Sequence, residues 1–105
     1  MVNWRYLVSR IPSWVKVAAG REYEVIWVSR FKDGDHVGET RFQSSQIAIQ
    51  KGHGPHKTIE IYLHELLHAI SEEHNVGLTE GQILALEKAF RYVLEKNNVF
   101  KPAGT

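Results

Sequence analysis

Thr58-Ile59-Glu60-Ile61-Tyr62-Leu63-His64-Glu65-Leu66-Leu67-His68-Ala69 runs twelve residues without glycine or proline and opens on a residue type that caps helices. The stretch predicts a helix over 58–69. Leu63, Leu66, Leu67 and Ile70 supply an apolar stripe for a core, which leaves His64, Glu65 and His68 to one side. Positions four apart on a helix share a face about one turn apart, so the two imidazoles can converge on a single ion at about 2.0–2.1 Å. Glu65 sits one residue further round. A carboxylate there escapes ligation, can hold the water on the metal, take its proton during attack on a carbonyl, and return it to the leaving amine. The chemistry expected of this stretch is therefore zinc-dependent hydrolysis, with His64 and His68 as metal ligands and Glu65 as the base. The competing reading is an amphipathic helix carrying two ordinary surface histidines, and the helical context that the motif requires weighs against it.

Catalytic zinc takes three protein ligands and keeps one position open, so a third donor must come from elsewhere. His74 lies ten residues after His64, the spacing of a third histidine in HExxHxxGxxH, but Ser71 stands where that pattern has its glycine. Glu80 opens the next helix, after a Thr79 that reads as its N-cap with Gln82 at the capping-box position. Glu87 interrupts the apolar face Ile83, Leu86, Phe90, Val93 and Leu94 of that second helix. If the first helix continues to a C-cap at Gly77, the two helices form a tight antiparallel corner and Glu87 is level with the metal. If it ends near Ser71, the loop 72–78 folds back and brings His74 or Glu80 to the site. The spacing leaves all three open.

The chain has 105 residues, 43% of them hydrophobic, and reads as a single domain with one modest core. A net charge of +1 with scattered lysines and arginines points to neither nucleic acid nor a membrane surface as a partner. Cysteine is absent, so histidine and carboxylate are the metal chemistry available, and a cytoplasmic location is expected. The first ten residues carry arginines inside their apolar stretch and do not read as a signal peptide.

A β-leaning first part (1–57), a helical metal-binding part (58–97) and a loose tail (98–105) predict an α+β fold. Strands are expected at Val15-Lys16-Val17, from Tyr23 to Phe31, from Val37 to Phe42, and at Gln46-Ile47-Ala48-Ile49-Gln50, with a hairpin turn at Lys32-Asp33-Gly34-Asp35. As a sheet edge beside the metal helix, Gln46–Gln50 could pair with an extended substrate by strand addition. His53 and His56, in the glycine- and proline-containing connection 51–57, read as solvated or as helpers of substrate or ion binding. Arg91 and Tyr92 would be oxyanion donors if their helix faced the cleft, although a surface position is the simpler reading for Arg91.

The chain resembles the small HExxH metallopeptidase-like proteins encoded by bacteriophages and prophages. The resemblance rests on Ile11-Pro12 with Val15-Lys16-Val17, Tyr23-Glu24-Val25, Gly38 leading to Ile47-Ala48-Ile49, the segment Tyr62 to Ile70, and Gly77-Leu78-Thr79-Glu80-Gly81-Gln82-Ile83 with Leu94 and Asn97 behind it. It implies a minimal zincin fold: a small antiparallel sheet packed on the HExxH helix and on one C-terminal helix. It also implies an acid at the start of the last helix as third zinc ligand, as in gluzincin peptidases, and Glu80 occupies that place. A glutamate at position 87 departs from the family pattern, and His74 is not part of it. Two functions are expected from this reading. The first is a zinc metallopeptidase acting on a peptide or protein substrate in the host cell cytoplasm. The second is a non-catalytic, zinc-stabilised phage structural or host-interaction protein, which a fourth protein ligand would favour. Cleavage specificity and oligomeric state are not encoded legibly.

Overall fold

The computed structural model describes residues 3–97, so the expected loose tail 98–105 lies outside the described residues. Along the chain run α1 (Trp4–Ser9), β1 (Trp14–Ala18), β2 (Arg21–Val28), β3 (Gly38–Arg41), β4 (Gln46–Gln50), α2 (Pro55–Glu73) and α3 (Glu80–Asn97). The fold is α+β, as the composition of the two halves predicted. Helix α1 was not anticipated. Asn3 caps it by accepting from the Tyr6 N–H at 3.0 Å, and its six residues are too few to display a helical hydrophobic period.

The four strands form one sheet in the order β1-β2-β4-β3, and it is mixed rather than purely antiparallel. β1 with β2 and β3 with β4 are antiparallel, whereas β2 and β4 run parallel, with Val25 beside Ile47 and Trp27 beside Ile49. Two expectations fail here for one reason. Lys32-Asp33-Gly34-Asp35 does not join a hairpin, because β4 lies between β2 and β3. Nor is Gln46–Gln50 an edge: β4 is interior, and the edge strand next to it is β3. The tight turn of this region lies instead at residues 42–45, where Ser45 takes a left-handed φ of 53° and its N–H donates to the Phe42 carbonyl.

Apolar side chains from the sheet (Tyr23, Val25, Ile47, Ile49) meet Ile61 and Ala69 of α2 in the buried core. Ile47, Ala48 and Ile49 are each fully buried, as an interior strand requires. Helix α2 begins three residues earlier than expected, with Gly54 as N-cap and Pro55 in the first turn, where its missing N–H has no partner to lose. Thr58 is therefore not a cap; its Oγ1 donates back to the Gly54 carbonyl at 2.9 Å from inside the helix.

The end of α2 decides where the acids fall. His74 is its C-cap, Asn75 and Gly77 take left-handed φ values of 53° and 70°, and the Leu78 N–H donates to Ser71 Oγ at 2.8 Å. The chain then enters α3 through the expected capping box, with Thr79 N–H to Gln82 Oε1 at 2.9 Å and Gln82 N–H to Thr79 Oγ1 at 3.2 Å. Ile83 and Glu87 are the buried residues of α3. Leu86, Phe90 and Val93, expected on its apolar face, are exposed by 37%, 48% and 48%. Among the described residues no helix is long and apolar enough to cross a membrane.

Candidate metal centre

His64 and His68 project from α2 toward the first turn of α3. Their rings stand edge to face with centroids 5.0 Å apart, as the i, i+4 spacing dictates. The Glu80 carboxylate spans them, Oε1 lying 2.7 Å from His64 Nε2 and Oε2 lying 3.1 Å from His68 Nε2. The three residues offer donor atoms that all lie within 4.8 Å of one another. A tetrahedral zinc with ligands at 2.0–2.1 Å separates neighbouring donors by about 3.3 Å, so this set is compatible with one ion.

The other edge of His64 fixes which nitrogen is available. Its Nδ1 lies 3.0 Å from Glu87 Oε1, and the Glu87 side chain is buried. A neutral imidazole carries one N–H. With that proton on Nδ1 and donated to Glu87, Nε2 and the Glu80 oxygen face each other lone pair to lone pair, unless a second proton or a metal ion lies between them. The donor set fits a cation. Because α2 stops at Glu73 with His74 as its C-cap, the corner at Gly77 does not form and Glu80, not Glu87, reaches both Nε2 atoms; Glu87 meets the wrong nitrogen of His64 to share an ion with His68.

Glu65 behaves differently from its neighbours. It is 8% exposed, and Thr40 Oγ1 on β3 donates to its Oε1 at 2.8 Å. Burial raises its pKa, with Glu80 adding to that, while the Thr40 hydrogen bond and the nearby His64 and His68 oppose the rise. A carboxylate held this way is a better base than a solvated one. Close approach of β3 makes the arrangement possible. A Cβ built on Gly38 would lie 2.6 Å from Ile61 Cγ2 and 2.9 Å from Glu65 Oε2, so only glycine lets the strand come this near.

The cluster opens onto two adjoining clefts that share His36, Gly38, His64 and Glu65. One, of about 420 Å³, is bounded by β3 and Phe42 and contains His68 and Glu80. The other, of about 390 Å³, runs from His64 between the 35–38 segment and the α2–α3 pair. Thr40 and His36 were not identified from sequence. Thr40 carries no motif, and its role needs the β3–α2 contact; His36 follows the Asp-Gly turn signal, which masks it.

The remaining candidates go elsewhere. His74 points away from the cluster, its Nε2 lying 2.8 Å from the Val17 carbonyl. His53 Nε2 lies 2.8 Å from Gln50 Oε1, and His56 packs edge to face on Trp4 at 4.7 Å. Arg91 pairs with Glu60 at 3.3 Å, and Tyr92 is 63% exposed; neither lines the two clefts. Fold and site together define a class: an α+β domain with a two-histidine, one-glutamate cluster in an open cleft. Compared with protein-family models, curated proteins and solved structures, the chain matches none.

Proposed function

We propose that this protein is a zinc-dependent peptidase, with His64, His68 and Glu80 holding the ion and Glu65 acting as the general base. The observation that carries the reading is that Glu80 meets both Nε2 atoms while Glu65, adjacent in sequence, is directed away to Thr40. This separation supports giving ligation and proton transfer to different carboxylates. Zinc held there would polarise the scissile carbonyl and acidify the attacking water. Glu65 takes the water's proton and delivers it to the leaving amine. Glu87, 3.0 Å from His64 Nδ1, holds the ring with Nε2 facing Glu80 and would keep it oriented for ligation, the part that carboxylate partners of ligating histidines play. β3 is the edge strand that borders the cleft, and an extended peptide would add there rather than at the interior β4.

A closed, structural zinc site is the second reading, and it needs a fourth protein donor. Among the described residues no further histidine or acid joins the three, and His74 is held at Val17. Three donors beside an open cleft favour catalysis. The test is cleavage of casein and of a mixed peptide library by the zinc-loaded protein and by Glu65→Gln. The reading predicts cleavage by the wild type, abolished by chelation, and a loss of about 10²- to 10⁴-fold in the variant. Equal cleavage by both, or none by either, would overturn it.

A further inference from the structure

Beyond the metal cluster, the 390 Å³ cleft has a charge pattern that the peptidase chemistry does not use. Its apolar lining is Ile61 from α2, Leu84 from α3 and Val37 ahead of β3, of which Ile61 is buried and Leu84 exposed. Lys57 lines it from the first turns of α2, and Lys88 from α3 one turn past Leu84. Lys57 and His64 are seven residues apart on one helical face, which sets the lysine about 10 Å along the axis from the cluster.

Three of the four acids in the same cleft have partners, and the fourth, Asp35, is in no ion pair among the described residues. Glu60 pairs with Arg91 at 3.3 Å, Glu87 with His64 at 3.0 Å, and Glu65 accepts from Thr40 at 2.8 Å. Asp35 stands exposed at the mouth. Lys57 and Lys88 are both exposed, and neither belongs to an ion pair among the described residues. Two lysines outside any ion pair therefore border a recess that starts at the His64 cluster, with Asp35 as the one unpaired acid beside them.

We infer that this recess is a substrate subsite for an acidic side chain next to the scissile bond, with Lys57 and Lys88 as the residues that recognise its carboxylate. Ile61, Val37 and Leu84 receive the methylenes of the side chain, and the two exposed lysines meet its charge. A basic side chain in the same place would meet like charge on both sides, so the pair rejects as well as selects. Lysine heads at a rim act through charge rather than fixed geometry, which makes the preference sensitive to salt.

The inference rests on the peptidase reading, and two measurements separate the fates of the two. Paired peptides differing only by Glu against Gln, placed in turn at each position flanking the bond, are cleaved by the zinc-loaded protein. At one position the Glu peptide is expected to have at least a tenfold higher kcat/KM. In Lys57→Glu/Lys88→Glu that ratio reverses, and a Lys-bearing peptide becomes the better substrate. Cleavage at equal rates of Glu and Gln peptides overturns the subsite and leaves the peptidase reading standing. Binding of the same peptides to zinc-loaded Glu65→Gln, followed by fluorescence anisotropy, gives an answer that does not depend on turnover. Tighter binding of the Glu peptide, weakened by added salt, upholds the subsite even if no peptide is cleaved; equal binding overturns it.

Discussion

Glu87 Oε1 lies 3.0 Å from His64 Nδ1, on the ring edge opposite the one that meets Glu80. Two of the glutamates of α3, Glu80 and Glu87, thus meet one histidine from two sides. One is 59% exposed and spans His64 and His68; the other is buried and, in the proposed site, orients the ring. Replacing the orienting partner should loosen the metal without removing a donor. Glu87→Ala is expected to weaken zinc binding by about 10- to 100-fold, and Glu87→Gln by less, since its amide oxygen still accepts from Nδ1. Competition with a chromophoric chelator reads both values, and wild-type affinity in Glu87→Ala would exclude the orienting role.

Gly38 predicts a coupled loss. In Gly38→Ala the new methyl would meet Ile61 Cγ2, a side chain 3% exposed and without room to yield, and the Glu65 carboxylate. The expected cost is about 1–3 kcal/mol of stability, seen as a lower denaturation midpoint. Cleavage should fall further than the folded fraction does, because β3 must retreat and take Thr40 away from Glu65.

Far from the cleft, Glu73 ties the end of α2 to β2. Arg21 Nε lies 2.9 Å from its Oε1, and the buried Tyr23 hydroxyl donates to Oε2 at 2.7 Å. The hydrogen bond from Arg21, then that from Tyr23, holds the Glu73 carboxyl below the usual carboxylate range. A depressed folded pKa stabilises the fold above the unfolded value near 4.5 and ceases to do so as pH falls through the folded value. Wild type should therefore melt above Glu73→Gln at pH 7, with the gap closing at acid pH below about 4. A gap that stays constant down to pH 2 would contradict this linkage. On the alkaline side, burial first and then Glu73 push the Tyr23 hydroxyl up to about 12, so the fold loses stability as pH rises from the unfolded value of 10.0 through that value.

What was legible in the sequence was local. The helix bearing His64 and His68 follows from an uninterrupted run, and the Thr79–Gln82 capping box from two residues three apart. The mispairing of strands came from weighting Asp33-Gly34, a local turn signal, over the non-local parallel pairing of β2 with β4. A cue was present in Ile47-Ala48-Ile49, an apolar triplet that suits a strand buried on both faces better than an edge. The third donor stayed open because it depends on where α2 stops. The left-handed turns at Asn75 and Gly77 set that stop, and because both residue types favour this backbone the sequence does not say which of them ends the helix.

The central claim is that His64, His68 and Glu80 bind one ion, with Glu87 behind them and His74 uninvolved. Zinc content per chain at equilibrium with a competing chelator, measured by mass spectrometry on folded wild type, Glu80→Gln, Glu87→Gln and His74→Ala, tests it most directly. The account predicts about one zinc in wild type and His74→Ala, a reduced affinity in Glu87→Gln, and a loss in Glu80→Gln larger than any outer partner produces. Wild-type zinc affinity in Glu80→Gln, or its loss in His74→Ala, would contradict it.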